Sequence, residues 1–510
     1  MMAHAVPIKP RGGVSLCARR LGIDSRSDHI IYMREDCDIC RSEGFSAQAR
    51  VRVDYGDRFI LTTVHHVTSG LLQKGEAGLS EAGWQVLGLN EGASIQLAHP
   101  AHIPSLSKVR GKIYGQPLNR MDMGTIINDI VRGRYSDMEM AAFVTACSAR
   151  DLDHNERVSL TAAMVDVGEK LDWQQPLVVD KHCVGGLPGN RTTPIVVAIV
   201  AANGLVMPKT SSRAITSPAG TADSMETLTR VDLSIDEIRR VVEQEDGCLA
   251  WGGAVRLSPA DDMLIRVERA LDIDSDGQLV ASVLSKKIAA GSTHLVLDIP
   301  YGPTAKVRSI HAARSLETSL LKVAKVFNLT ARTILSDGSQ PVGRGIGPAL
   351  EALDVLSVLR GEKTAPADLR DRAVQLAGCL LEMSGRAGSG EGNIMASSTL
   401  DSGLAWKKFV AICDAQGGLR EPPVASIIQT VDARRPGRVK TIDNRRIAQT
   451  AKLLGAPDAK AAGIVMKVRL GDAVEQGKPL FELHAETRGE MAYAQTYLEA
   501  NPDIVKLEQE

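Results

Sequence analysis

The segment DKHCVGGLPGNRTTP at residues 180–194 decides the fold that the sequence predicts for this chain. An apolar run at residues 177–179 precedes it and predicts a strand. A second apolar run at 195–202 follows it and predicts a buried helix that ends at Asn203-Gly204. A strand, a glycine-rich turn and a helix in this order are typical of α/β proteins with a mainly parallel sheet.

The composition of this turn suits an anion. Gly185 and Gly186 allow the backbone to approach a ligand closely, and Lys181 adds a full positive charge. Thr193 is placed as the N-cap of the following helix, with Pro194 at its first position, so free N–H groups face the turn. The Walker spacing is absent, and by composition alone a plain tight turn fits equally well.

A second loop carries hydroxyl groups beside glycine. The sequence SSR at 211–213 follows a predicted strand, and TS at 216–217 and AGTAD at 219–223 come directly after it. Serine and threonine are also common as plain helix caps. Two such loops in succession after the lysine-glycine turn favour a binding site for one anion.

Four regions are predicted along the chain. Residues 1–100 are β-rich; residues 101–175 are helical and are joined by part of 222–260; residues 176–428 form the α/β region; and residues 429–510 form an α+β domain. The last of these resembles half of a biotinyl or lipoyl module without its acceptor lysine. The predicted fold class is therefore α/β, a helical domain plus an α/β domain with a central mixed, mainly parallel sheet, flanked by a β-rich N-terminal and an α+β C-terminal domain.

Composition excludes several classes of protein. The 510 residues carry 60 Lys and Arg against 61 Asp and Glu, and aromatic residues make up only 3%. This balance argues against nucleic acid or an anionic membrane as the main partner. The eight scattered cysteines, Cys37-x-x-Cys40 included, are expected to be ordinary thiols in a reducing compartment. Without a spanning run or a secretory signal, a cytoplasmic protein is expected.

Several motifs together resemble one enzyme family. They are DKHxxGG at 180–186, SSR at 211–213, GTxD at 220–223, LIR at 264–266, ASVLSKK at 281–287 and QPxG at 340–343. From about residue 105 onward the chain resembles the thymidine/pyrimidine-nucleoside phosphorylases. The details of the glycine-rich turn look most like a longer subgroup, which has an extra N-terminal domain and includes AMP phosphorylases.

The resemblance implies phosphorolysis of a pyrimidine nucleoside, thymidine in the first place, to a free base and a sugar 1-phosphate. Neither metal nor cofactor is implied, since inorganic phosphate is a co-substrate. Phosphate would be held by the residues that match the family's phosphate-binding positions: Lys181, Gly186, Thr193, Ser211 and Thr221. Cys183 stands where the family usually has serine, and a thiol is the weaker hydrogen-bond donor.

Another set of residues matches the positions that contact the base and the rest of the substrate. His182, Arg266, Ser282 and Lys286 match the base-contacting positions. Asp274 matches the proton donor suggested for the longer subgroup, although it also fits a solvated turn with Asp272 and Asp276. The nucleotide-contacting positions of that subgroup correspond to Ser212, Arg213, Ala214, Ile215, Thr216, Ser217 and Lys306.

Other functions stay open at this point. The SSRAITS sequence at 211–217 favours a nucleoside-monophosphate phosphorylase that releases ribose 1,5-bisphosphate. A phosphoribosyltransferase of the same general fold would need Mg²⁺ and acidic ligands, and the Lys181-His182 pair argues against it. A binding module without enzymatic activity fits least. The resemblance also implies a homodimer formed through the helical domain.

Overall fold

A computed structural model describes residues 15–26, 28–189, 191–214, 217–273 and 275–508. The chain divides into two compact units. One contains the described residues up to Lys108 together with Asp129–Glu139, and the other contains Val109–Asn128 and everything from Met140 onward. The described residues include no helix that is long and apolar enough to cross a membrane.

The first unit is built on a closed β-barrel with strand order β1-β5-β2-β4-β3-β6. Alternating residues such as Val51, Val53 and Ile95 fill its interior, as the period of a strand requires. The elements are β1 (Ser15–Arg20), β2 (Ile30–Arg34), α1 (Asp38–Glu43), β3 (Arg50–Tyr55), β4 (Arg58–Val67), β5 (Glu76–Leu79), α2 (Glu81–Leu87) and β6 (Ser94–Ala98).

The Cys37-x-x-Cys40 pair has a structural role in this unit. The Cys37 sulfur accepts a hydrogen bond of 3.2 Å from the backbone N–H of Cys40 and thereby caps α1. Both side chains are buried, and burial together with the hydrogen bond to Cys37 raises the pKa of Cys40 to about 12. The pair therefore serves the fold of this unit.

Four helices follow, and the period of residues 120–147 predicts the second and third of them. They are α3 (Leu106–Ile113), α4 (Arg120–Val131), α5 (Asp137–Ala149) and α6 (His154–Asp166). The capping box predicted at Ser136 is present, because Ser136 N–H donates to Glu139 and Glu139 N–H donates back to the Ser136 hydroxyl. A second box between Asp153 and Glu156 begins α6.

Parallel strands and covering helices form the α/β region, which confirms the predicted fold class. The strand order is β11-β10-β7 in one sheet and β8-β9 in another, every pairing is parallel, and a bridge between Val178 and Val206 joins the two. The elements are β7 (Val179–Cys183), α7 (Thr192–Ala202), β8 (Met207–Ser211), α8 (Thr221–Glu226), α9 (Ile235–Glu245), β9 (Gly247–Trp251), a 3₁₀ turn (Gly252–Val255), α10 (Pro259–Leu271), α11 (Asp276–Ala289), β10 (His294–Tyr301), α12 (Ile310–Val326), β11 (Thr330–Asp337), β12 (Gly345–Ile346), α13 (Pro348–Leu359), α14 (Ala367–Met383), α15 (Gly392–Asp401) and α16 (Leu404–Ala415).

Two sequence predictions are wrong in this region. The strand before the glycine-rich turn is β7, which carries Asp180, Lys181 and His182 within it rather than ending at residue 179. Helix α7 begins at Thr192, so Thr193 is not its N-cap. The prediction that part of 222–260 joins the helical domain stays a prediction; within that range, α9 packs through Ile238 and its neighbours on β9 and α16. The charged residues of β7 make it look like a loop in the sequence, because the lysines that pair with Asp180 lie far along the chain.

The C-terminal region is an α+β domain, as predicted. Strands β12, β15, β17 and β13 pair in that order, and β16, β14 and β18 form a second sheet. The remaining elements are β13 (Ile427–Asp432), β14 (Gly437–Ile442), α17 (Asn444–Leu453), β15 (Gly463–Met466), β16 (Ala473–Val474), β17 (Pro479–Ala485), α18 (Arg488–Ala500) and β18 (Val505–Glu508). Because β12 comes from the α/β region, the two regions share a sheet.

Candidate active site

The site lies at the carboxyl ends of the parallel strands, where β7 gives way to the glycine-rich turn. Side chains alternate across a strand, so Lys181 and Cys183 face one side of β7 and Asp180 and His182 face the other. The two sides have different chemistry. One carries the lysine and hydroxyl groups of the predicted phosphate site, and the other carries a buried ionic cluster.

Lys181 lies among hydroxyl groups at the start of α7. Its Nζ is 2.8 Å from Thr192 Oγ1 and 3.1 Å from Thr193 Oγ1, and its side chain is completely buried. Burial lowers the pKa of Lys181. A buried ammonium group whose hydrogen bonds go to neutral hydroxyls is stabilised by the arrival of an anion, and this is the property that a phosphate site requires.

Asp180 is held between two lysines on the opposite side of β7. Lys209 Nζ lies 3.1 Å from its Oδ1 and Lys287 Nζ lies 2.8 Å from its Oδ2, and all three residues are buried. Burial opposes the charged carboxylate, yet the two lysines lower the pKa of Asp180. The pKa of Lys287 is lowered to about 7, by burial first and then by neighbouring Lys209. We call these three residues the Asp180 cluster.

His182 follows Asp180 and Lys181 on β7. Burial, and after it the positive charges of Lys287 and Lys209, hold its pKa well below the ordinary value. The imidazole is therefore neutral at pH 7 and can donate one N–H hydrogen bond to a base.

Cys183 is buried at the end of β7. Its sulfur donates to Asp298 Oδ2 over 3.5 Å, and the hydroxyl of Ser336 donates to the other oxygen over 2.7 Å. Burial and the adjacent carboxylate raise the pKa of Cys183 above that of a free thiol. The residue therefore connects β7 with β10.

Ser211 ends β8 with an unused hydroxyl. Its Oγ is buried and has no hydrogen-bond partner among the residues that the structure describes. Buried polar atoms are nearly always paired in folded proteins, so an unpaired one indicates a ligand or a water. Ser211 was predicted to hold phosphate, and an unpaired hydroxyl at the end of a strand next to β7 fits that role.

The loop after Ser211 is organised by an aspartate. Asp223 Oδ2 accepts backbone hydrogen bonds from Ala214 at 2.6 Å and from Gly220 at 2.9 Å. Arg213 is bound to Glu226 by two hydrogen bonds of 2.7 Å and lies over the ring of Trp251. These contacts with Glu226 raise the pKa of Arg213, and its charge is already balanced within the protein.

Lys286 and Ser282 are adjacent on one face of α11 because they are four residues apart. Lys286 Nζ forms an ion pair of 2.5 Å with Asp261 and lies 3.5 Å from Ser212 Oγ. Burial opposes the charge, but Asp261 and then Asp262 raise the pKa of Lys286. Lys286 is therefore a protonated cation within the predicted base-contacting set. Arg266 lies on the exposed side of α10.

The remaining predicted residues are distributed as follows. Ser217 Oγ accepts the N–H of Leu187 at 3.2 Å, so the two loops touch each other. Lys306 lies directly against Gly186, whose φ of +99° permits this approach. Thr221 is buried at the start of α8. Asp274, Ile215 and Thr216 lie outside the described residues, so their predicted roles stay predictions.

Sequence reasoning missed the residues that support the site. Lys209 and Lys287 hold Asp180, which directly precedes Lys181 on β7. Asp223 holds the loop after Ser211, and Asp261 pairs with Lys286. Lys287 and Asp223 lie inside motifs quoted for the family, and that was the available signal. Their partners come from other elements, which only the folded chain brings together.

Comparison with known proteins places the chain in a class. The helical bundle domain of the glycosyl transferase family matches residues 107–168, and the a/b domain of that family matches residues 175–406. The pyrimidine nucleoside phosphorylase C-terminal domain matches residues 438–504. The chain thus has the domain composition of a glycosyltransferase that carries a nucleoside-phosphorylase C-terminal domain.

The similar proteins identify the family. A protein from Polaromonas sp. (strain JS666 / ATCC BAA-500), named "Putative thymidine phosphorylase", is 57% identical over 99% of both chains. One of the same name from Chelativorans sp. (strain BNC1) is 56% identical over 100% of this chain and 99% of the other. The chain belongs to the thymidine/pyrimidine-nucleoside phosphorylase family, which confirms the resemblance seen in its motifs.

Two solved structures share the fold. Anthranilate phosphoribosyltransferase from Thermus thermophilus matches with a TM-score of 0.52 and 18% identity over 60% of this chain and 98% of that one. The Saccharomyces cerevisiae enzyme matches with a TM-score of 0.50 and 16% identity over 62% and 98%. At this identity the likeness extends to the fold alone.

Proposed function

We propose that this protein catalyses the phosphorolysis of a pyrimidine nucleoside, converting thymidine and phosphate into thymine and 2-deoxy-α-D-ribose 1-phosphate. The observation that carries the proposal is the environment of Lys181. Its ammonium group is buried, bonds to the hydroxyls of Thr192 and Thr193, and lies on the strand next to the unpaired hydroxyl of Ser211. Family membership supports the same chemistry.

The roles of the residues follow from their charges. In the reaction, a phosphate oxygen forms a bond to C1′, the bond from C1′ to the base breaks, and the base leaves with the electron pair of that bond. Lys181 and the adjacent hydroxyls hold the phosphate dianion in place. Charged Lys286 and the N–H of neutral His182 stabilise the negative charge that develops on the departing base.

The direct test is phosphate-dependent release of base from thymidine, uridine, AMP, CMP and UMP. We expect release from thymidine, dependence on phosphate and persistence in EDTA, since we propose that no metal or organic cofactor takes part. Activity that requires Mg²⁺ and a sugar pyrophosphate would indicate a phosphoribosyltransferase instead. Release from monophosphates alone would show that the nucleoside assignment is wrong.

A nucleoside-monophosphate phosphorylase is the second candidate, and the position of Lys306 favours it. The backbone and Cβ of this lysine lie against Gly186 at the edge of the proposed phosphate site. A second phosphate group there would need a cation. If nucleotides are substrates, Lys306→Ala should lower kcat/KM for AMP or CMP. The loss of transition-state stabilisation should be about 1.5–3 kcal/mol, the usual contribution of a charged hydrogen bond. Turnover of thymidine should fall much less.

The expected setting of the reaction is also a proposal. A cytoplasmic enzyme agrees with eight cysteines that form no disulfide in the described residues. We further propose a homodimer, as the family resemblance implies. Size-exclusion chromatography with light scattering would show a mass close to that of two chains of 54.6 kDa if this is correct.

A further inference from the structure

The glycine-rich turn reaches into the C-terminal domain through one apolar side chain. Leu187 has a φ of +83°, which L-amino acids other than glycine rarely adopt. Its side chain is only 4% exposed and belongs to the same buried apolar cluster as Ile464 and Phe481 of the C-terminal domain. A disfavoured backbone conformation persists where the surroundings stabilise it, and apolar burial does so here.

The anchored residue determines where its neighbours lie. Leu187 N–H donates to Ser217 Oγ at 3.2 Å, which connects the turn with the loop after β8. The carbonyl of Pro188 accepts the N–H of Val342 at 2.7 Å. Gly186 is so close to Lys306 that a Cβ there would lie 2.9 Å from the lysine Cβ. A shift of Leu187 would therefore displace both anion-binding loops.

A charged contact connects the C-terminal domain with the second loop. Lys460 follows α17, and its Nζ lies 2.8 Å from Glu226 Oε2 and 3.8 Å from Asp223 Oδ1. Asp223 holds the backbone of Ala214 and Gly220, and Glu226 holds Arg213. One residue of the C-terminal domain is thus linked to the two carboxylates that shape this loop.

We propose that the C-terminal domain of this enzyme positions both phosphate-binding loops, with Leu187 as the anchor of the first and Lys460 as the clamp of the second. The proposal rests on the proposed phosphorolytic function. Both residues are positioning residues, because each acts through groups that would contact the ligand. Their loss should weaken phosphate binding more than it slows the chemical step.

The test compares Leu187→Ala and Leu187→Gly with a matched control, Leu483→Ala. Leu483 is 1% exposed in the same apolar cluster but lies on β17, away from the loops. We expect Leu187→Ala and Leu187→Gly to raise the KM for phosphate about tenfold with little change in kcat. Leu187→Met should keep the KM for phosphate close to that of the wild type. Glycine relieves the backbone strain, so a loss in Leu187→Gly comes from the missing side chain and not from misfolding. The control should lose stability without a change in phosphate KM.

Hydrogen exchange provides a readout that does not depend on activity. We expect faster amide exchange at residues 184–189 in the Leu187 variants and at residues 212–214 and 217–221 in Lys460→Met, with recovery in Lys460→Arg. Unchanged exchange and unchanged phosphate KM in both Leu187→Gly and Lys460→Met would overturn the proposal. If the wild-type protein releases no base with phosphate, the proposed function fails, while the exchange rates still decide whether the domain positions the loops.

Discussion

Lys181 combines complete burial with a positive charge whose hydrogen bonds go to the neutral hydroxyls of Thr192 and Thr193. The sequence indicates a cation at an anion site, and the structure shows that this cation also packs in the interior. In the proposed function a phosphate dianion balances this charge, so substitution of Lys181 is the first test of the site.

Lys181→Met removes this charge and keeps the length of the side chain. We expect kcat/KM for phosphate to fall by about 10²–10³-fold, the usual effect of losing a charge-stabilising contact. The melting temperature should change little or rise, because methionine is not penalised by burial. Steady-state kinetics and thermal unfolding check the two parts. Turnover equal to that of the wild type would remove Lys181 from the site, and unfolding under native conditions would show a structural role.

His182 should make the protein less stable in acid. The folded state keeps its imidazole neutral, whereas the unfolded chain takes up a proton near pH 6.5. The free energy of unfolding therefore decreases below pH 6.5, by up to about 1.4 kcal/mol per pH unit from this residue. Urea titrations at about pH 7.5 and 5.5 lie on either side of that ordinary value. Between these two pH values, the free energy of unfolding should fall less in His182→Asn than in the wild type.

His102 provides the control for that measurement, because it is exposed on the surface. His102→Asn should leave the difference between the two pH values unchanged. Equal pH dependence of the wild type and His182→Asn would contradict a neutral imidazole in the folded state.

At the scale of elements, the loop between β8 and α8 owes its shape to one side chain. Asp223 brings Ala214 and Gly220 together, and a neutral amide cannot accept both hydrogen bonds with the same strength. We expect Asp223→Asn to raise the KM for phosphate about tenfold and to affect kcat less. Asp232→Asn is the matched control, since Asp232 is exposed and lies 3.7 Å from the same Arg213. A similar effect in both variants would show that only local charge matters.

The parallel strands explain why the site forms at one edge. Strands β7 and β8 end together at Cys183 and Ser211, so their following loops meet without any long-range signal in the sequence. Lysines from β8 and α11 then converge on Asp180. The two lysines of the Asp180 cluster place positive charge close to His182. Their ion pairs with Asp180 reduce the free-energy cost of burying the lysines.

For the molecule as a whole, Arg191 connects the regions that share the C-terminal sheet. It is fully buried next to α7, donates to the carbonyl of Gly345 in β12, and lies 3.3 Å from Glu351 and 3.6 Å from Asp354 in α13. Burial raises the pKa of Glu351 to about 7, although Arg191 acts in the opposite direction. This ionic group therefore fixes the start of α7 on the element that continues into the C-terminal sheet.

Arg191→Met should destabilise the protein by about 3–5 kcal/mol, because it leaves buried carboxylates without a partner. The loss should be smaller at about pH 5 than at about pH 8. Unpaired Glu351 has a folded-state pKa above its unfolded value, so the folded state binds the proton more strongly and is stabilised as the pH falls. Urea unfolding at both pH values measures this, and Arg191→Met/Glu351→Leu should recover part of the loss. A larger loss in acid would contradict the assignment.

Much of this protein follows from local patterns. The glycine-rich turn, the hydroxyl-rich loop and the capping box at Ser136 use residues that are close in the chain, and their geometry depends on backbone rules that the residue types express directly. The motifs were also sufficient to identify the family, because they contain the residue types that the chemistry of the site requires. The parallel α/β architecture followed from the alternation of strands and helices.

Other features arise only when distant segments meet. Lys181 and His182 read as loop residues, yet they lie in a strand, because Lys209 and Lys287 neutralise the neighbouring Asp180 from two other elements. The thiol of Cys183 turns to Asp298 on β10, and Leu187 turns to the core of the C-terminal domain. Ionic pairing and apolar burial depend on which surfaces come into contact, and no short stretch of sequence contains both partners.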